Sequence, residues 1–226
     1  MGDLKPNGQR AKRAILWIWI VLVLDMLNGA SSYMNYDLLR TVANGVDVPE
    51  EVVDAGSLRE AIVAILAVLA YIISGITFIM WFRRAYYNLH QSVSHRLRHS
   101  EGWAAGSWFV PILCLYRPYQ IMKELYLETK GLLTKKGMDM NLNLTTHLLG
   151  WWWTLWIISC IFGQIVSKFA LRAETLNELM TSSIIDMISS SITVPLALIT
   201  VKIIKDYSKA EALLAENQGW NTDETD

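Results

Sequence analysis

Cysteine is almost absent from this chain of 226 residues: Cys114 and Cys160 are the only two. Neither belongs to a CxxC or Cys/His pattern, so a thiolate metal site or redox pair has no basis, and no disulfide between them is expected. Charge is scarce too, at 18% of residues against about 25% in an ordinary soluble domain. The formal net charge of -1 gives no overall pull toward nucleic acid. None of the four histidines falls deep within an apolar stretch, which argues against haem held inside a helix bundle. GxSxG, Walker, HExxH, GxGxxG and paired-carboxylate patterns are missing, as are internal repeats. Neither an enzyme nor a cofactor is expected.

Apolar sequence, by contrast, is abundant and blocked. Hydrophobic residues make up 53% of the chain, with ten tryptophans and a mean hydropathy of +0.27. A hydrocarbon slab of about 30 Å takes roughly 20 apolar residues of helix. Four segments reach that length, at about 14–34, 58–82, 147–167 and 182–201. A fifth run, Trp103 to Tyr116, has only fourteen residues. That is about 21 Å as helix, too short to cross, and Pro111 interrupts its hydrogen-bond ladder.

Charge orients the spans. With the N-terminus inside, the cytoplasmic side carries sixteen Lys and Arg and the opposite side four: Arg40, Arg59, Lys168 and Arg172. Making 103–116 a fifth span would move 117–146 and the basic C-terminal end outside and destroy this bias. Nine of the ten tryptophans also fall toward the cytoplasmic side in the four-span arrangement, where interfacial placement suits them. The run at 103–116 therefore reads as a re-entrant or interfacial hairpin of the cytoplasmic leaflet. The fold class is an all-α integral membrane protein with four transmembrane helices and both termini inside.

Residues 1–13 form a basic tail, 14–205 a single membrane domain and 206–226 a polar tail that begins as amphipathic helix and ends acidic. The N-terminus, with basic residues, an apolar stretch and "NGAS", has the outline of a signal peptide. It is read here as an uncleaved span. The stretch between the first two spans reads as a solvated connector, with a Pro-started helical turn at "DVPEEVVDAGSLRE".

The richest pattern lies between spans two and three. Arg83 and Arg84 follow the end of the second span, favourable for a helix C-terminus and for anionic headgroups. After the hairpin, 118–134 reads as an amphipathic helix. Pro118 starts it, Ile121, Met122, Leu125, Tyr126, Leu132 and Leu133 form one face, and Lys123, Lys130, Lys135 and Lys136 take the rest. Such a helix is expected to lie on the inner leaflet, making anionic lipid the expected partner. "MWFRRAYYNLHQ" followed by "EGWAAGSWFVPILCLYRPYQIMKELY" resembles the bacterial multi-pass membrane family known as domain of unknown function 4328. The residues that carry the likeness are Arg83, Arg84, Tyr87, Asn88, Trp108, Phe109, Pro111, Arg117, Pro118, Tyr119, Gln120 and Glu124. The resemblance implies a membrane fold, a bacterial origin and an inner-membrane location, but no activity.

A backbone turning within the headgroup layer needs its N–H and C=O groups satisfied by protein. Arg117, Gln120 and Asn88 have the donors for this, and Glu124 has the charge to neutralise Arg84 or Arg117. A second polar set lies within the spans: Asp25, Asn28, Gln164, Lys168 and Asp186. Asp25 with Asn28 is expected to pair with Lys168, Asp186 being the alternative acid, either to lock helices together or to relay ions. His95 and His99 share a helical face, but no adjacent ligand set completes a metal site. Serines such as those of "MTSSIIDMISSSITVP" read as small residues for close helix packing. The functional expectation is a non-enzymatic accessory, scaffold or sensing component, alone as a homo-oligomer or within a larger membrane complex. A small channel or transporter using the Asp/Lys set is the alternative, and a lipid-modifying enzyme comes third.

Overall fold

A computed structural model describes residues 4–93, 96–137, 144–170 and 172–216, and among these all regular structure is helical. Six helices follow one another: α1 (Gly8–Ala43), α2 (Glu50–Val93), α3 (Trp103–Gly106), α4 (Arg117–Lys135), α5 (Thr146–Ala170) and α6 (Leu176–Glu216). Four of them, α1, α2, α5 and α6, are long and apolar enough to cross a membrane. They contain the four apolar segments and run past most of their ends: α2 has 44 residues and α6 has 41. The stretch read as a solvated connector is mostly helix, since only 44–49 separates α1 from α2. No breaker stands earlier. Gly45, at a φ of +79°, ends α1 in a Schellman turn, with Val46 N–H donating to Thr41 O and Gly45 N–H to Val42 O. Pro49 then opens α2 just ahead of the favourable first-turn acids Glu50 and Glu51.

The chain divides into two compact units. The first comprises Met1–Leu16, Ser74–Trp153 and Ile199–Asp226. Trp81, Phe82, Tyr86, Ile121, Met122, Leu125, Tyr126, Leu149, Trp152, Ile203, Ile204 and Tyr207 are its fully buried centre. The buried residues of α4 recur at three- and four-residue steps, as the amphipathic pattern predicts. Their partner differs from the expected one. The apolar face is covered by protein, with Tyr126 stacked on Tyr207 and its hydroxyl donating to Ile203 O at 3.0 Å. Removing Ile121, Met122, Leu125 and Leu133 from water contributes roughly 1.5–3 kcal/mol each. That stripe is not spare surface for a leaflet, and Lys123 and Lys130 remain on the exposed side.

The second unit comprises Trp17–Ile73 and Thr154–Leu198. Its apolar side chains point mostly outward, as in Ile65, Leu69, Ile72 and Ile161. Small residues bring its helices together: a Cβ built on Gly29 would stand 3.2 Å from Ser190 Cβ. Near the start of α6, Thr175 and Glu178 form a capping box, Glu178 accepting from the Thr175 and Glu174 N–H groups at 3.0 Å.

Candidate functional site

The motif residues all lie in the first unit, where Asn88 is the hub of a clamp. Its Oδ1 accepts from Lys5 N–H at 3.0 Å, and its Nδ2 donates to Lys5 O at 2.8 Å and to Glu211 Oε1 at 2.6 Å. Asn7 adds a bond to the other Glu211 oxygen at 3.0 Å and one to Trp81 O. A buried amide joining a backbone strand to a carboxylate uses nearly all its donors and acceptors. Asn88 therefore fastens the N-terminal segment and α6 to α2 and does not pin the hairpin. Lys5, Asn7 and Glu211 were not anticipated. Nothing in local spacing marks partners so far apart in sequence.

The hairpin satisfies its backbone differently from expectation. After α3, successive turns and a short 3-10 segment, Leu113–Leu115, bond internally, and the Trp153 indole N–H caps Leu115 O at 2.9 Å. Ile112 sits at a φ of +68° and a ψ of -49°, the centre of a γ-turn in which Leu113 N–H donates to Pro111 O at 2.8 Å, a conformation costly for a β-branched residue. Phe109 is 76% exposed and Ile112 73%, so the tip presents bare apolar surface. Trp108 packs on Phe78, Phe82 and Trp153, and Tyr119 on Trp153. Pro118 is buried in the first turn of α4, where Gln120 N–H donates to Tyr116 O.

The anticipated pairing of Glu124 with Arg84 or Arg117 is not what forms. Glu124 accepts from the Tyr86 hydroxyl and from Arg98 N–H, each at 2.7 Å. These short bonds to a carboxylate tie the loop after α2 to α4. Arg117 instead lies over the Trp103 ring, 4.5 Å from its centroid. The carbonyl of His99 accepts from His90 at 3.0 Å and lies 3.0 Å from the Tyr86 hydroxyl, whose one proton it shares with Glu124. Burial, opposed by Glu124 but reinforced by Arg117 and Arg98, pushes the His99 imidazole below its ordinary value. His95, its suggested metal partner, lies outside the described residues.

Beside the clamp, the same unit forms a cleft of about 320 Å³. Lys5 and Arg10 contribute one wall, Met80, Arg83, Arg84 and Tyr87 of α2 another, and Glu101 part of the rim. Lys5 Nζ lies 4.8 Å from the Tyr87 ring centroid and the Arg84 guanidinium 5.9 Å. Arg83 reaches Glu101 only at 4.0 Å, with the arginine largely open to solvent and the glutamate half-buried.

The intramembrane set in the second unit does not assemble as expected. Asp25 shares a hydrogen bond with Thr193, while Lys168 and Gln164 are exposed. Among the described residues Asp25 has no basic partner. Asp186 lies near Glu60, close enough for the two carboxylates to repel. Glu60 in turn accepts from Asn35 at 3.0 Å, and Arg59 donates to Ser31 at 3.0 Å. Asn28 is half-buried. No group of three or more candidate metal ligands occurs among the described residues.

Residues 44–209, more than half of the chain, match the family described as Domain of unknown function (DUF4328). The chain belongs to this family. The DUF4328 match runs from the end of α1 through most of α6 and takes in every motif residue from Arg83 to Glu124. Lys5, Asn7, Arg10 and Glu211 fall outside it. No curated protein and no solved structure matches the chain.

Proposed function

We propose that this DUF4328 protein is a non-enzymatic accessory, scaffold or sensing component of the bacterial inner membrane, with both termini cytoplasmic and anionic lipid at its basic face. One observation carries the reading. All sixteen Lys and Arg assigned to the cytoplasmic side belong to the first unit, and the remaining four to the second. The bare apolar tip of the hairpin, Phe109 and Ile112, belongs to the same basic unit. A leaflet whose headgroups meet arginine and whose acyl chains meet Phe109 matches that surface. Dipping into the cytoplasmic leaflet then supplies the environment that the exposed tip lacks in water. The transport alternative draws no support from Asp25 and Lys168, since Asp25 turns to Thr193 and Lys168 is exposed.

The test is topological. Cys114 and Cys160 are replaced by serine, and single cysteines are placed at Lys135 and at Lys209. An impermeant thiol reagent should label both only from the cytoplasmic face, and labelling from opposite faces would overturn the arrangement. Purification in mild detergent, with the particle mass measured, should give an oligomer or a larger complex. A lone monomer would argue against the scaffold role.

A further inference from the structure

We infer that the cleft lined by Lys5, Arg10, Arg83 and Arg84 binds a phosphate-bearing anion, either a phospholipid headgroup or a soluble phosphomonoester. The lipid source rests on the membrane reading above; the cleft itself does not. Four cations line the cleft against one lining carboxylate, Glu101, which reaches Arg83 at the limit of an ion pair. Glu211 of the clamp also attracts Arg84 but is already held by Asn88 and Asn7. The Arg10 charge is opposed first by burial and then by repulsion from Arg84, Arg13 and Arg83. Like charges held together at the end of an apolar helix are unfavourable unless an anion joins them. Guanidinium groups fit a phosphate's oxygens with paired donors, whereas a lone lysine acts as a point charge.

The arrangement is also held in advance. Arg10 donates to Met80 O at 3.5 Å, and Lys5 is fixed through both its backbone groups to Asn88. Tyr87 supports Lys5 and Arg84 through its ring. The backbone of Lys5 and the ring and carbonyl beside Arg84 and Arg10 thus gather the basic groups around one cleft, which separates it from the dispersed lysines of α4. Arg83 and Arg84 directly follow the apolar segment ending at Phe82, the depth at which headgroup phosphates lie.

The full chain is reconstituted in phosphatidylcholine nanodiscs containing a minor fraction of phosphatidylglycerol, and retained lipid is counted by native mass spectrometry. In parallel, detergent-solubilised protein is titrated with glycerol 3-phosphate by calorimetry. R83Q/R84Q is compared with K123Q/K130Q, which removes the same charge elsewhere, and K5Q is included because its backbone bonds to Asn88 do not need the ammonium. The cleft should lose about tenfold or more in affinity in R83Q/R84Q and about threefold to fivefold in K5Q, with the α4 pair within twofold of the parent. Equal losses in both double variants would overturn the cleft while leaving general lipid contact intact. Cleft-dependent binding of glycerol phosphate without lipid retention would keep the cleft and overturn the lipid reading. Binding of neither probe by the parent would overturn both.

Discussion

In the first unit Trp81, Phe82, Tyr86 and Tyr126 have essentially no exposed surface, whereas in the second Ile65, Leu69 and Ile72 leave about half or more of theirs open. On the proposed membrane reading the contrast follows from the solvent each is built for. A residue facing acyl chains gains little by turning inward, so a span needs only close-fitting small contacts such as Gly29 against Ser190. A unit placed among water and headgroups, as proposed for the first, would have to bury its aromatics and pair its buried amides, as Asn88 and Glu211 do. Hydrophobicity alone therefore says where the chain meets lipid and not where it is tightly packed.

The largest expected effect sharpens this division. Trp81→Ala should cost roughly 3–5 kcal/mol, while Leu66→Ala, at a residue 49% exposed, should cost under about 1 kcal/mol in a bilayer or micelle. Thermal unfolding followed by fluorescence in mild detergent reads both, and equal losses would erase the contrast. Asn88→Leu comes next. It leaves Glu211 and the Lys5 backbone short of partners, for about 2–4 kcal/mol. Partial proteolysis should show the N-terminal segment released first, and an unaltered digestion pattern would dismiss the clamp. Within the second unit, Gly29→Leu should destabilise by about 1–3 kcal/mol by forcing α1 from Ser190. No change would mean the approach is not a packing contact.

The smallest effect is a pH dependence confined to the first unit. His99 binds its proton less tightly folded than unfolded, so its contribution to stability is present above its ordinary pKa of 6.5 and is lost as pH falls through the lower folded value. His99→Asn keeps the backbone carbonyl that Tyr86 and His90 use and should flatten that part of the profile. An identical acid limb in the variant would assign the dependence elsewhere.

Four spans could be read from sequence because length and apolar content are summed over many residues and tolerate local error. Where the helices stop could not, since a backbone already hydrogen-bonded continues until something such as Gly45 ends it. The periodicity of α4 identified its buried face but not its partner: Ile121 and Leu125 meet protein, and the same pattern would suit lipid. The motif marked Asn88 and Glu124 as structurally important, yet it misassigned their partners, which lie at Lys5, Tyr86, Arg98 and Glu211. Pairing Asp25 with Lys168 failed for a different reason. Sequence gives the depth of a residue along its helix, but rotation about the axis decides which neighbour it meets.

The bond between Asn88 and Glu211 also orders events during biosynthesis. Lys5 and Asn88 are both made well before Glu211, so the Asn88 amide stays half-satisfied until the end of α6 has been synthesised. A chain cut after the fourth apolar segment would keep all four apolar segments described here but would leave Asn88 and Asn7 without their carboxylate. This fastening therefore closes only once the end of α6 is present, and a chain cut short before Glu211 offers proteases a loose end.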